Sequence, residues 1–99
     1  MENLMIPDEF LQELAAAGFA APVLVSREPS GFLAEHSHPF EAKALIASGS
    51  IAITCNGTTR VYCEGDIFHL APEEPHSERY GEQGVSYWAG RKTSNSQEK

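Results

Sequence analysis

The chain of 99 residues is predicted to fold as one all-β domain, a barrel or sandwich, preceded by one short helix. Three observations predict this class. From Pro22 onward, short β-branched and apolar segments alternate at even spacing with turns rich in Gly, Pro and Asn. Apolar residues make up 41% and charged residues 21% of the chain, a balance typical of globular domains. The length is also too small for two separate cores.

An N-terminal extension over residues 1–20 is predicted to carry the helix. Pro7 suits the first helical position and Gly18 suits the end of a helix. Apolar residues repeat at helical spacing between them: Phe10, Leu11 and Leu14. The β domain is expected over 21–90, and the polar residues 91–99 are expected to form a disordered tail.

The β domain is predicted to contain several short strands joined by turns. The strands are expected at 23–25, 32–37, 42–47, 51–54, 58–63, 67–70, 76–80 and 85–89. Ser48-Gly49-Ser50 is expected to be a tight corner, and residues 72–75 a loop. Asn56-Gly57 is a strong signal for a two-residue hairpin turn.

The two cysteines, Cys55 and Cys63, are predicted to be free thiols. If Asn56-Gly57 forms the turn, Cys55 lies opposite Thr58 and Cys63 lies opposite Ser50. The cysteines are then on the order of 16 Å apart, whereas a disulfide needs Cα atoms within roughly 7 Å. Free thiols are typical of a reducing compartment, and the sequence shows neither a signal peptide nor a membrane span, so a cytoplasmic location is expected.

Three histidines form the candidate functional site. His36 and His38 are two residues apart, so an extended strand places both imidazoles on the same side. His76 begins a late strand, after the turn at Gly65-Asp66 and a loop that contains proline. Because neutral imidazole is the commonest protein ligand for a transition metal, the two segments together predict a metal site.

These two segments resemble the two sequence motifs of the cupin family. The first motif has a Gly, two His separated by one residue, a Glu and a Gly, and the second has a Gly-Asp turn, a loop with Pro and one His. The matching residues are Gly31, His36, His38 and Gly49, and then Gly65, Asp66 and His76. The resemblance covers residues 22–90 and implies a cupin-type β-barrel, also described as jelly-roll-like or as a double-stranded β-helix.

Three positions depart from the pattern of that family. The ligand glutamate of the family falls on Ala42, so Glu41, one residue earlier, is expected to point to the opposite face. A bulge at Pro39 would reverse this, and Glu41 is therefore the less favoured fourth ligand. The loop has Ala71-Pro72-Glu73 in place of Pro-x-Gly, and Tyr80 stands where Asn is common.

A site of three neutral histidines leaves the full charge on a divalent ion, and so favours anionic or chelating small molecules. The metal is expected to be Fe, Zn, Ni or Mn, since three imidazoles do not distinguish among them. Two functions stay open: a metal-dependent, dioxygenase-like enzyme, or a non-enzymatic binding or sensing module whose metal is structural or absent. Glu78 and Tyr80 share strand parity with His76 and are the candidate catalytic residues.

Strand parity also predicts the lining of the cavity. The residues expected to face inward with His36 and His38 are Phe32, Ala34, Ala42, Ala44 and Ile46. Tyr87 and Trp88 are adjacent, so only one of them can face inward. His69 is interpreted as structural.

Charge and family resemblance limit the expected partners. The net charge of −7 argues against nucleic acid, which requires a basic face, and the sequence shows no attached DNA-binding segment. Members of the cupin family often pair through sheet edges, so a homodimer is expected besides a small-molecule ligand. The candidate contacts are Val23, Leu24 and the helix around Leu11 and Leu14.

Overall fold

A computed structural model of the protein describes residues 6–93 and shows one helix and six antiparallel strands in that range. The elements are α1 Asp8–Ala16, β1 Val23–Arg27, β2 Phe32–His36, β3 Phe40–Cys55, β4 Thr58–Cys63, β5 Ile67–Leu70 and β6 His76–Thr93. The predicted class, all-β with a short N-terminal helix, is confirmed. No helix in the described range is long and apolar enough to cross a membrane.

Two long strands, β3 and β6, organise the molecule. They pair from Phe40 opposite Thr93 to Thr54 opposite Ser77. The first half of β3 also pairs with β5 and its second half with β4, while the first half of β6 pairs with β2 and its second half with β1. The six-stranded sheet is therefore folded into two layers, with β3 and β6 passing from one layer to the other, as in a jelly-roll barrel.

The corner expected at Ser48-Gly49-Ser50 is a bend within β3, not the end of a strand. The register with β6 shifts on both sides of this segment, which marks β-bulges. Gly49 has a φ of 76°, and a Cβ at this position would overlap the carbonyl oxygen of Gly84 on β6. Glycine is needed here because the two long strands approach each other closely where they bend.

The strands predicted at 76–80 and 85–89 are parts of one strand, because the pairing with β3 resumes after a local shift in register. β6 also runs to Thr93, so 91–93 belong to the sheet and not to a disordered tail. The rest of the predicted tail, 94–99, lies outside the described residues, as do 1–5 of the N-terminal extension.

The hairpin between β3 and β4 has the predicted form. Asn56 and Gly57 both have positive φ angles, 51° and 78°, as a type I′ turn requires. Cys55 lies opposite Thr58 and Ser50 lies opposite Cys63. Both cysteines are free, as predicted.

The helix α1 packs against the outer face of the sheet through Phe10 and Leu14, which are 3% and 1% exposed. Pro7 is the N-cap and not the first helical residue. Leu14 lies so close to Gly90 that a Cβ on this glycine would come within 2.9 Å of the leucine side chain. The prediction that Leu14 takes part in a dimer contact is therefore wrong, because this side chain is already buried against β6.

The core of the barrel lies between the two layers and consists of alternate residues of β3, β5 and β6. Its largest members are Ile46, Ile51, Ile53, Phe68, Leu70, Tyr80 and Tyr87. The same alternation places Glu78, which is 9% exposed, on the inner face of β6.

Candidate metal centre

The three predicted histidines lie together at one end of the barrel. His36 at the end of β2 pairs with His76 at the start of β6, and their ring centroids are 4.4 Å apart. The ring of His38 lies 5.2 Å from that of His76 and 6.3 Å from that of His36. We call these three residues the histidine cluster. Segments separated by almost 40 residues of sequence thus bring their imidazoles to one place.

Each imidazole of the histidine cluster is held by a hydrogen bond from Nδ1 to a backbone carbonyl. The acceptors are Ala34 for His36 at 2.8 Å, Phe40 for His38 at 3.2 Å and Glu74 for His76 at 2.9 Å. Since a carbonyl oxygen only accepts, Nδ1 carries the proton in the neutral ring and Nε2 keeps its lone pair. Metal-bound histidines are usually oriented in this way.

His76 provides the test of whether these residues fit a cation. The residue is 1% exposed, and its Nε2 has no hydrogen-bond partner within the described range. A buried polar atom left without a partner costs about 1–3 kcal/mol. A cation bound at Nε2 would remove this cost, so the residues present fit a metal.

Glu78 adds a carboxylate to the histidine cluster. Its Oε2 lies 3.4 Å from Nε2 of His76 and 3.6 Å from Nε2 of His36. The potential ligand atoms of these three residues are all within 4.8 Å of one another, which suits a single ion. The hydroxyl of Tyr80 donates a hydrogen bond to the other carboxylate oxygen of Glu78 at 2.9 Å, which fixes the carboxylate.

Sequence reasoning placed Glu78 and Tyr80 on the inner face but assigned them only as candidate catalytic residues. A signal for Glu78 as a ligand was present: the family's glutamate is Ala42 here, and Glu78 follows His76 by two residues on the same strand. Ala42 is 7% exposed and lines the same cavity as Glu78. The structure therefore offers a carboxylate on β6 in place of the missing one on β3.

Glu41 lies on the outer face of β3, as strand parity predicted. Its carboxylate is bonded to Nε2 of His69 on β5, so it points away from the histidine cluster. His69 thus has a carboxylate partner that the sequence did not reveal.

His38 lies at the edge of the site, outside the group formed by His36, His76 and Glu78. Its ring stacks on Phe40, with centroids 4.1 Å apart and planes inclined by 4°. Burial lowers the pKa of His38, and the neighbouring His76 and His36 lower it further, although the hydrogen bond to Phe40 acts in the opposite direction. A neutral imidazole is the form that binds a metal.

A cavity of about 100 Å³ lies beside the histidine cluster. Ala42 lines it as expected. Only one of the two adjacent aromatic residues does so: Tyr87 lines this cavity, and Trp88 lies in a different pocket. Phe32 and Ala34 were wrongly expected to face inward: both are exposed, and Leu33 lines the cavity instead. The cause is a register shift in β2 between Leu33 and His36, which reverses the parity of the strand before the histidine.

The fold and the position of the site define this protein as a small cupin domain. The chain belongs to the family of AraC-like ligand binding domains, whose sequence model matches residues 24–91. A comparison with curated proteins finds no match.

Solved structures share this fold. The chain is similar to the cupin domain of Cnp3 from Schizosaccharomyces pombe, with a TM-score of 0.66, 17% identity, and coverage of 76% of this chain and 59% of that one. It is similar to a cupin superfamily protein from Desulfitobacterium hafniense, with a TM-score of 0.63, 16% identity, and coverage of 71% and 63%. For KdgF from Halomonas sp. the TM-score is 0.61, the identity 17%, and the coverage 71% and 67%. The chain thus spans less than two thirds of the length of the first two structures.

Proposed function

We propose that this domain binds a divalent transition metal through His36, His76 and Glu78, with His38 at the edge of the site as the fourth ligand, and binds a small anionic molecule beside it. The observation that carries the proposal is the buried Nε2 of His76, which makes no hydrogen bond and lies 3.4 Å from a carboxylate oxygen of Glu78. With one carboxylate among the ligands, a divalent ion keeps a net charge of about +1, which still attracts an anion. The match to a ligand binding domain supports a binding role.

Metal titration of the folded protein tests this proposal. We expect Zn²⁺, Ni²⁺, Mn²⁺ or anaerobic Fe²⁺ to bind with one ion per chain in a calorimetric titration. H36A and E78Q should each weaken that binding by at least about tenfold, because each removes a ligand. H69A is the matched control, since His69 lies outside the cluster and should leave the affinity unchanged.

The proposal fails if none of the four metals binds to a wild-type sample whose circular dichroism shows the folded β structure. It also fails if H36A and E78Q bind metal as tightly as H69A does. His76 is fully buried, so H76A is a less useful variant, because its loss of binding could reflect a loss of folding.

Catalysis is a second candidate function, and the pair formed by Glu78 and Tyr80 favours it. A carboxylate that accepts a bond from a buried phenol can hold a proton beside a bound molecule. A bound metal would supply an open coordination position and Lewis-acid charge. Oxygen uptake by protein loaded anaerobically with Fe²⁺, measured with small anionic substrates, tests for a dioxygenase-like enzyme. Turnover that is lost in H36A supports the enzyme, and binding without turnover supports the ligand-binding domain.

We also propose that the domain pairs through the β1 edge. Within the described range β1 pairs only with β6, and Val23 and Leu24 are 46% and 39% exposed. Size-exclusion chromatography with light scattering should give a dimer that V23K weakens. A wild-type monomer would contradict this expectation.

A further inference from the structure

Two arginines line the cavity beside the histidine cluster. Arg27 ends β1 and Arg91 lies near the end of β6, and the strand pairing turns both toward the inner face, as it does Tyr87. Both arginines are exposed, so they lie at the mouth of the cavity. No carboxylate within residues 6–93 lies within 4.0 Å of either guanidinium group. The chain has fourteen acidic and seven basic residues, so two unpaired cations in one small cavity run against its overall charge. Such a pair attracts an anion.

A ring contact holds Arg91 in place without neutralising it. The guanidinium carbon of Arg91 is 5.2 Å from the centre of the Phe40 ring, and Phe40 in turn stacks on His38. Arg91 is thus linked by ring contacts to the histidine cluster.

Tyr87 contributes a hydroxyl to the same part of the cavity. Burial raises the pKa of Tyr87, and the charge of Glu78 adds to the increase, while Arg27 and Arg91 act in the opposite direction. The phenol is therefore protonated at neutral pH and able to donate a hydrogen bond. Two guanidinium groups and one hydroxyl offer donors to the cavity, so the matching ligand group is an acceptor with negative charge.

Beside these polar groups the cavity also has apolar walls. They are formed by Leu33, Phe40, Phe68, Leu70 and Ala89. The cavity volume of about 100 Å³ limits the ligand to a small molecule. Apolar walls suit a short carbon skeleton better than an inorganic anion, whose whole surface is hydrated.

We propose that the cavity binds a small organic acid, with its carboxylate at Arg27, Arg91 and Tyr87 and its other end toward the histidine cluster. Arginine suits this role because its planar fork matches the two oxygens of a carboxylate. The proposal rests on the proposed function only for the end of the acid that reaches the metal. The arginine end depends on this chain's own residues alone.

The experiment is a titration of the full chain, both Zn²⁺-loaded and metal-free, with acetate, pyruvate and malonate, followed by amide chemical shifts. Methyl pyruvate and inorganic phosphate serve as comparison ligands, one without the charge and one without the carbon skeleton. The variants are R27Q and R91Q, with R79Q as the matched control. Arg79 is also on β6, but it is exposed on the outer face, where it lies over Phe32.

We expect at least one of the three acids to bind, and R27Q and R91Q each to weaken that binding by about tenfold, since each variant loses a charged hydrogen-bond donor to the carboxylate. R79Q should bind like the wild type, and none of the three variants should weaken Zn²⁺ binding, because the removed groups repel a cation. The inference is overturned if none of the acids binds, if R27Q and R91Q behave like R79Q, or if methyl pyruvate or phosphate binds as tightly as the acids.

Failure of the proposed function gives a different result. If Zn²⁺ does not bind but the metal-free protein still binds an acid in a manner that depends on Arg27 and Arg91, the metal proposal fails and the organic-acid site stands. If Zn²⁺ binds and the acids do not, the metal proposal stands and the organic-acid site fails.

Discussion

Two glutamate–histidine contacts occur on opposite faces of the same sheet. Glu41 and His69 meet on the outside, where 28% and 53% of their side chains are exposed. Glu78 meets His76 on the inside, where the corresponding values are 10% and 0%. Water screens the outer pair, so its contribution to stability is about 0–1 kcal/mol. The inner groups have lost their water and need partners, and this difference, not the presence of Glu beside His, marks the candidate site.

The largest difference between the two faces is expected in metal affinity. E78A should weaken Zn²⁺ binding by about 100-fold, at the upper end of losses seen even for groups that only support a metal ligand. E41A should leave it within about twofold of the wild type, because Glu41 does not reach the histidine cluster. Competition with a coloured chelator measures both dissociation constants. Equal affinities in E78A and E41A would remove the distinction between the faces.

A carboxylate moved across the cavity should restore part of that loss. Ala42 is buried, lines the same cavity as Glu78 and occupies the position of the family's glutamate. The double variant A42E/E78A should recover about tenfold or more of the Zn²⁺ affinity lost in E78A, since removal of Glu78 makes room for the new side chain.

The control for this exchange is E41A/E78A, which removes one acidic residue more and adds none inside the cavity. A42E/E78A that binds no better than this control would show that position 42 cannot reach the ion. A loss of the folded β structure in A42E/E78A, seen by circular dichroism, would show that the inner face does not accept a second site for the carboxylate.

The sequence predicted those parts of the molecule that depend on local patterns. Asn56-Gly57 favours a tight hairpin because both residues adopt positive φ angles. The hairpin sets the register between β3 and β4, and this register keeps the two cysteines apart. Alternation of side chains placed Glu41 outside and Glu78 inside. The spacing of three histidines also indicated a family and, through it, a fold.

Features that depend on contacts between distant strands were not visible in the sequence. Because of the register shift in β2, Leu33 lines the cavity and Phe32 does not. No residue type in that segment indicates such a shift. The bend at Gly49 follows from its approach to Gly84, which lies on another strand. Arg27 likewise lines the cavity only because β1 pairs with the second half of β6, a long-range choice of partner.

The inner carboxylate, that of Glu78, is oriented by a hydrogen bond from Tyr80. Y80F should weaken Zn²⁺ binding by up to about tenfold, because Glu78 loses the bond that fixes one of its oxygens. The free energy of unfolding should fall by about 1 kcal/mol, the typical contribution of one hydrogen bond. Urea unfolding and the chelator assay measure the two effects. An unchanged affinity together with lower stability would show that Tyr80 only packs the core.

A smaller effect is expected on the outer face. E41A and H69A should each lower the free energy of unfolding by less than about 1 kcal/mol, because the pair is exposed to water. The effect should shrink further in high salt, which screens surface charges. Urea unfolding at low and high ionic strength measures it. If E41A or H69A lowers the free energy of unfolding by several kcal/mol at both salt concentrations, the outer pair contributes as a buried pair does.

The two inner tyrosines have no such effect at neutral pH, but at high pH they offer a last way to separate the faces. Burial, the charge of Glu78 and, for Tyr80, the bond to Glu78 raise the pKa of both phenols above the ordinary value of 10.0. Above about pH 10 the unfolded chain therefore loses phenolic protons that the folded chain retains, so stability falls as the pH increases. Below about pH 10 both states keep these protons and the effect vanishes.

Absorbance at 295 nm should show two phenols that ionise late in the folded protein and earlier in urea, and Y80F and Y87F should each remove one of them. The slope of unfolding free energy against pH should become shallower in both variants, because each removes a proton that only the folded state retains at high pH. If the slope is as steep in Y87F as in the wild type, the hydroxyl of Tyr87 is as well hydrated in the barrel as in the unfolded chain. The inner face would then lack the dry environment on which its difference from the outer face depends.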